Sequence, residues 1–204
     1  AFDWIKQLVA KKRTAITQGH ILQIHRLMLH KIDDANAGRY KTISVRIAGS
    51  RVTMPNAAKV PQLMSEFISW LHQVQGDDVT ITAAAHFKLV SIHPFIDGNG
   101  RTARLLMNLL LMQDGYPPAI IRKEDRRRYI QSIEAGQLGK SLADYYRLIN
   151  ESVDRSLDIY LDAVRQKEKI RRVWQKDLVK IGELANISGE TVPTLRFWTQ
   201  EGLL

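Results

Sequence analysis

"SIHPFIDGNGRTARLLMNLLLM", residues 91–112, sets a histidine, an acid, two glycines and two arginines directly before a strongly apolar run. Proline at 94 disfavours helix at His93, and Asp97-Gly98-Asn99-Gly100 has turn chemistry. Residues 93–99 are therefore predicted to form a loop between two helices, the second starting near Asn99 or Gly100. The first-turn amides of a helix lack intrahelical partners, and glycines let a ligand approach the backbone closely. Together with the helix dipole they make a cradle for an anion. Arg101 and Arg104 share a face of that first turn, where a cation opposes the dipole unless an anion is bound. Two or more phosphates answer that requirement, and a nucleoside triphosphate would use the full width of the cradle. A carboxylate beside bound phosphates suits a bridging Mg²⁺, which gives Asp97 a role. His93, with an unperturbed pKa of about 6.5, stands where a general base would take a proton from an incoming hydroxyl.

Working outward, the apolar face of the second helix is expected to be Leu105, Leu106, Leu109 and Leu110. Helical spacing also dominates "FDWIKQLV" and "ITQGHILQIHRLMLHKI", where Ile21, Ile24, Leu27 and Met28 form one stripe and Thr17 can cap. "VPQLMSEFISWLHQV" and "DVTITAAAHFKLVSI" are predicted helices, as are "RKEDRRRYIQSIEAG" and "SLADYYRLINESVDRSLDIYLDAV". The exception is 42–54, "TISVRIAGSRVTM", whose two β-branched stretches around "AGS" predict a short hairpin. "RQKEKIRRVWQK" is charged almost throughout and reads as a connecting helix over 166–179, before a small unit at 180–204.

A chain of 204 residues is long enough for one sizeable core plus a small module. With 30 Lys+Arg against 21 Asp+Glu the formal charge is +9, which favours acidic partners such as nucleotides or nucleic acid. There are no cysteines, so disulfides and thiolate metal sites are excluded, and a cytoplasmic location is expected. The longest apolar run, "LLMNLLLM", is far short of a membrane span.

"HPFIDGNGRTAR" resembles the full signature of the Fic family, His-Pro-Phe-x-(Asp/Glu)-Gly-Asn-Gly-Arg-x-x-Arg, at every defined position. The likeness extends over about 1–165, including "GRYKT" and "GYPPAIIRKEDRRRYIQSIEAG", and is to Fic domains of the type fused to other bacterial modules and found singly in animals. It implies an all-α fold, a Fic helical bundle with a short β-hairpin flap, and transfer of AMP from Mg-ATP to a Ser, Thr or Tyr hydroxyl of a target protein. Under that resemblance His93 is the base and Asp97 the Mg²⁺ ligand. Gly98, Asn99 and Gly100 hold the α- and β-phosphates, Arg101 and Arg104 take the phosphate tail, and Phe95 packs inward. Tyr129 lines the adenine pocket, and Gln137 falls where some relatives have a nucleoside-contacting asparagine. The hairpin, with Arg51, Val52 and Thr53, corresponds to a flap that aligns an extended target segment by strand addition. Related enzymes that phosphorylate lack this glycine pattern, so adenylyl transfer is favoured. The family's inhibitory motif, (Ser/Thr)-x-x-x-Glu-(Gly/Asn), does not occur in these residues, and it is expected upstream of Ala1.

Residues 180–204, "KIGELANISGETVPTLRFWTQEGLL", read as helix, turn and helix and resemble the opening of a MerR-type helix-turn-helix. Thr191, Thr194 and Arg196 would then lie nearest DNA. Two other functions stay open: a DNA-binding regulator whose helical body senses nucleotide or dimerises, and removal of AMP from a modified target.

Overall fold

The computed structural model describes residues 2–176, 181–189, 191–193 and 196. Among them the regular structure is entirely helical: α1 (Phe2–Val9), α2 (Gln18–Leu29), α3 (Val60–Gln73), α4 (Asp78–Ile92), α5 (Asn99–Gln113), α6 (Arg126–Gln137), α7 (Ala143–Lys176) and α8 (Ile181–Ser188). The chain divides into two units, Ala1–Leu157 and Asp158–Leu204. No described helix is long and apolar enough to cross a membrane.

In the larger unit α5 is the central element, packed against α1, α2 and α4, with α3 laid on α4. Its sequence explains this position. Leu106, Met107, Leu109, Leu110 and Leu111 are all buried, so the helix is apolar around most of its circumference and needs neighbours on several sides. Phe67 and Leu71 from α3, Leu89 from α4, and Tyr145, Leu148 and Ile149 from α7 complete the core. Each such side chain contributes roughly 1.5–3 kcal/mol on leaving water. Leu105, expected on the buried face, is 46% exposed.

Local chemistry sets the helix starts. The Thr17 hydroxyl accepts from His20 N–H at 3.3 Å and caps α2, and Asp77 accepts from Thr80 N–H at 2.7 Å and caps α4. On α2 the buried stripe is Ile21, Ile24, His25 and Leu29, with Leu27 exposed, so the apolar face is rotated from the expected one and includes a histidine. Helix α6 begins at Arg126, later than expected, after a turn over 123–125; upstream, Pro117 and Pro118 carry the chain out of α5, and Ala119 N–H is bound by the Asn108 side chain at 3.0 Å.

The segment 42–54 is not a hairpin. The expected turn is there, with Gly49 at φ 78° and Ser50 N–H donating to Ile47 O at 3.1 Å, but no strand pairing flanks it. Two short arms have no third strand to lie on, and a lone two-stranded ribbon is marginal in water. The loop is fastened to α6 instead, since one oxygen of Glu134 accepts from the Ser50 hydroxyl at 3.0 Å and from Arg51 N–H at 2.9 Å.

In the smaller unit, Asp158–Lys176 continues α7 with no break at the charged stretch, and Ile159, Tyr160 and Leu161 are exposed. Helix α8 ends at a left-handed Gly189, φ 74°, whose N–H returns to Ala185 O at 3.0 Å. Val192, Pro193 and Arg196 are helical, and Thr194 lies outside the described residues.

Candidate active site

The loop at 93–98 is built by its own sequence and braced from three sides. Helix α4 ends on His93, which adopts a left-handed conformation, φ 51° and ψ 59°, and donates its N–H to Leu89 O at 3.1 Å. This is uncommon for a residue with a Cβ, and such strain persists where surrounding contacts overdetermine it. Those contacts are visible. Phe95 is fully buried, as expected, and its ring stacks on the His25 imidazole at 3.7 Å between centroids with planes 5° apart. Gly38 N–H donates to His25 Nδ1 at 2.9 Å, which leaves the ring proton on Nε2 to donate to Asp97 O at 3.1 Å. The buried Asn99 side chain closes the loop, accepting from Phe95 N–H and donating to Phe95 O, both at 2.9 Å.

Helix α5 starts where the sequence placed it. Its cap, Gly98, has φ 78° and no side chain, so the first-turn amides open onto the cleft. The φ of Gly98 favours glycine, and a Cβ there would also sit 2.5 Å from Met28 Cε, so the flexible end of that methionine would have to move. Arg101 donates to Asp97 Oδ2 at 2.9 Å, and Asp97 Oδ1 accepts from Gly98 N–H at 2.6 Å. Arg104 has no carboxylate partner among the described residues, and its Nη1 would stand 3.4 Å from a Cβ placed on Gly100. An unpaired guanidinium over an open helix N-terminus is an anion site.

These groups line one cleft of about 840 Å³, within the range of ligand pockets. It brings together every residue that the sequence assigned to base, phosphate and nucleoside: His93, Asp97, Gly98, Asn99, Gly100, Arg101, Arg104, Tyr129 and Gln137. Arg46, Arg122, Lys123 and Arg126 add positive charge on the far walls. The flap residues are the exception. Val45–Ser50 border the cleft with Glu134, whose carboxylate takes the Arg51 N–H, whereas Arg51, Val52 and Thr53 do not line it. Asn99 faces the cleft with its backbone, since both ends of its side chain are held by Phe95. Gln137 Nε2 donates to the Ser91 hydroxyl at 3.3 Å, and the Tyr129 hydroxyl is bonded to His86 Nε2 at 2.7 Å.

His93 is held in the tautomer that a base requires. Its Nδ1–H donates to Val90 O at 3.4 Å, leaving Nε2 unprotonated in the cleft. Burial pushes its pKa below 6.5 and the nearby Lys41 ammonium pushes the same way, while the Val90 carbonyl and Asp97 oppose them. Lys41 was not singled out from sequence. It is buried, its N–H donates to Pro94 O at 2.8 Å, and its Nζ has no hydrogen-bond partner among the described residues. His25 was missed as well, although a histidine at the helical spacing of Ile21 and Ile24 carried the signal. No cluster of three or more metal-ligating side chains occurs among the described residues. Among the described residues, Asp97 is a carboxylate adjoining the glycine cradle, an arrangement that fits Mg²⁺, a cation usually held by one or two carboxylates plus substrate phosphates. Of the residues assigned to DNA, Thr191 and Arg196 are exposed.

Residues 15–111 match the Fic/DOC family. The chain is 39% identical over 169 residues to the protein adenylyltransferase Fic of Aedes aegypti, an alignment covering 81% of this chain and 33% of that protein. Its fold is similar to that of Fic-1 (residues 134–508) from C. elegans, with TM-score 0.72 and 32% identity, covering 81% of this chain and 49% of that one. A Fic domain containing signaling protein from Bacteroides thetaiotaomicron gives TM-score 0.68 at 26% identity, over 80% of this chain and 69% of its own. The chain thus spans about a third of the length of the curated insect relatives it matches. With the motif, the loop and the surrounding helices all in agreement, residues 15–111 form a domain of the Fic/DOC family.

Proposed function

We propose that this chain is a protein adenylyltransferase, which transfers AMP from Mg-ATP to a Ser, Thr or Tyr hydroxyl of a target protein. One observation carries the reading: an unprotonated histidine nitrogen and an uncapped, glycine-lined helix N-terminus flanked by arginines open onto the same cleft. The first-turn amides and Arg104 hold the phosphates, and Asp97 holds the Mg²⁺ that accompanies them. Mg²⁺, when bound, offsets charge on the α- and β-phosphates. The target hydroxyl attacks the α-phosphorus while His93 Nε2 takes its proton. The bond from that phosphorus to the bridging oxygen breaks, and pyrophosphate leaves with the electron pair. A pKa below 6.5 keeps His93 neutral and ready near pH 7.

The loop 45–50 borders the cleft, and a target segment would lie along it by strand addition. Tyr129 and Gln137 border the end of the cleft that would take the nucleoside. A cytoplasmic location and DNA contact by residues 180–204 are separate proposals. Loss of salt-sensitive DNA binding in Arg196→Ala, with transfer intact, would support the second.

The functional reading is tested by incubating the chain and ATP with a cell lysate and sequencing modified peptides by mass spectrometry. Peptides carrying AMP on Ser, Thr or Tyr support it. Peptides carrying phosphate instead, or no modification above that of the His93→Ala chain, would overturn it.

A further inference from the structure

Behind the cleft wall runs a chain of buried hydrogen bonds that the catalytic reading does not use. The Tyr145 hydroxyl donates to Ala83 O at 2.8 Å and lies 2.7 Å from His86 Nδ1, and His86 Nε2 lies 2.7 Å from the Tyr129 hydroxyl. His86 and Tyr145 are fully buried and Tyr129 is 6% exposed.

Every proton in this chain can be placed. Tyr145 has one hydroxyl proton, and Ala83 O, which can only accept, takes it. The Tyr145 oxygen must then accept from His86, which puts the imidazole proton on Nδ1. Burial, with Arg104 next in weight, drives the His86 pKa down to about 3, so the ring is neutral and carries no second proton. His86 Nε2 is therefore an acceptor, and the Tyr129 proton points inward to it. The Tyr129 oxygen is left with its lone pairs facing the cleft. Burial raises the phenol pKa, and the guanidinium of Arg104, which lies beside the hydroxyl, opposes that push.

The placement of Arg104 makes this consequential. Unlike Arg101, which is paired with Asp97, it has no carboxylate within ion-pair distance among the described residues. It nonetheless reaches back over the first turn of α5 to within 3.4 Å of where a Gly100 Cβ would be. Ordering a long arginine side chain costs conformational entropy, which a hydrogen bond from its guanidinium offsets.

We propose that Tyr129 is a positioning residue for Arg104. The relay Ala83–Tyr145–His86–Tyr129 fixes the phenol oxygen as an acceptor, and that oxygen aims the guanidinium at the phosphates beyond the α-phosphate. The assignment rests on the adenylyltransferase reading, in which Arg104 takes the phosphate tail. It gives the Tyr129 hydroxyl a role separate from contact of its ring with the base. Since the relay is neutral and fully bonded, it orders Arg104 without competing for the charge that a phosphate needs.

The test is calorimetric titration of the full chain with Mg-ATP and, separately, with AMP, which lacks the outer phosphates. Tyr129→Phe should weaken ATP binding about tenfold, the worth of one hydrogen bond to a charged group, and leave AMP affinity within about twofold. Combined with Arg104→Ala it should cost no more than Arg104→Ala alone, because the two residues act as one unit. Tyr145→Phe touches no part of the cleft. It should also weaken ATP selectively, by about threefold or more, because His86 is then free to shift its proton and reverse the Tyr129 hydroxyl.

Equal losses for ATP and AMP in Tyr129→Phe would assign the hydroxyl to the nucleoside and overturn the proposal, as would additive losses in the double variant. If Tyr129→Phe does not fold, Tyr145→Phe decides alone: selective loss of ATP supports the relay, and unchanged binding overturns it. ATP binding by the wild type that falls in Arg104→Ala preserves the functional reading whatever Tyr129 does. A wild type that binds no ATP overturns both.

Discussion

Asn99 and Phe95 hold each other by two hydrogen bonds of 2.9 Å, one in each direction between the Asn99 amide and the Phe95 backbone. This clasp joins the first residue of α5 to the loop that carries His93, so the base and the phosphate cradle are one rigid piece. Both partners are buried, so the clasp satisfies polar groups that are largely shielded from solvent. Asn99→Ala is expected to cost about 1–3 kcal/mol for each backbone group left unpaired, read as a lower denaturation midpoint. Asn99→Asp keeps the acceptor but faces Phe95 O with a carboxylate oxygen, and it should be no better.

His93→Ala should abolish transfer and leave nucleotide affinity nearly unchanged, because the imidazole acts on the incoming hydroxyl and holds no phosphate. The pH profile gives an independent check. Transfer needs the neutral ring, and burial and Lys41 hold its pKa below 6.5. The rate should therefore be flat above about pH 6.5 and fall on the acid side with a midpoint below that value. Lys41→Met removes the nearby positive charge, so the midpoint should move upward, toward 6.5. Since the Lys41 ammonium is buried without a partner, the same change should leave thermal stability equal or higher. An unmoved acid limb in Lys41→Met would remove Lys41 from the account.

Gly98 is favoured by its φ of 78°, and a Cβ there would displace the flexible end of Met28, whose Cε would lie 2.5 Å away. Gly98→Ala is expected to lose roughly 2–4 kcal/mol of stability, from strain and overpacking together. Trimming the obstacle separates the two contributions. Gly98→Ala with Met28→Ala should be less destabilised than the sum of the single changes, leaving mainly the conformational cost.

What could be read in the sequence was what is local. Proline after His93, Gly98 in the turn and the cap at Thr17 act on their own or adjacent backbone, and the structure has the loop, the start of α5 and the start of α2 where those residues put them. The nine cleft residues follow from the same short stretch and from the family resemblance, and they come together in one pocket. The hairpin failed for the complementary reason. β-Branched residues favour extended backbone, but a strand also needs a partner, and the Glu134 carboxylate on α6 takes Arg51 N–H instead. His25, Lys41 and Tyr145 draw their roles from contacts with residues far along the chain, at Asp97, Pro94 and His86, and no spacing rule encodes these.

The Glu134 latch is itself testable. Hydrogen bonds from Arg51 N–H and the Ser50 hydroxyl hold the carboxyl pKa below 4.5, so the latch is intact above that pH and lost as the pH falls through the lowered value. At neutral pH Glu134→Ala should speed amide exchange at Arg51 by about tenfold or more, with the global unfolding midpoint unchanged. Unaltered exchange would mean that the loop is held by other contacts.

This cleft is proposed to join the α-phosphate of ATP to a protein hydroxyl with His93 as base. That proposal is tested most directly by parallel incubations of the chain and target proteins with ATP radiolabelled at the α- or the γ-phosphate. Protein labelling is expected from α-labelled ATP, with none from γ-labelled ATP and none from either with His93→Ala. Labelling from the γ-phosphate, or labelling by His93→Ala at the wild-type rate, would contradict it.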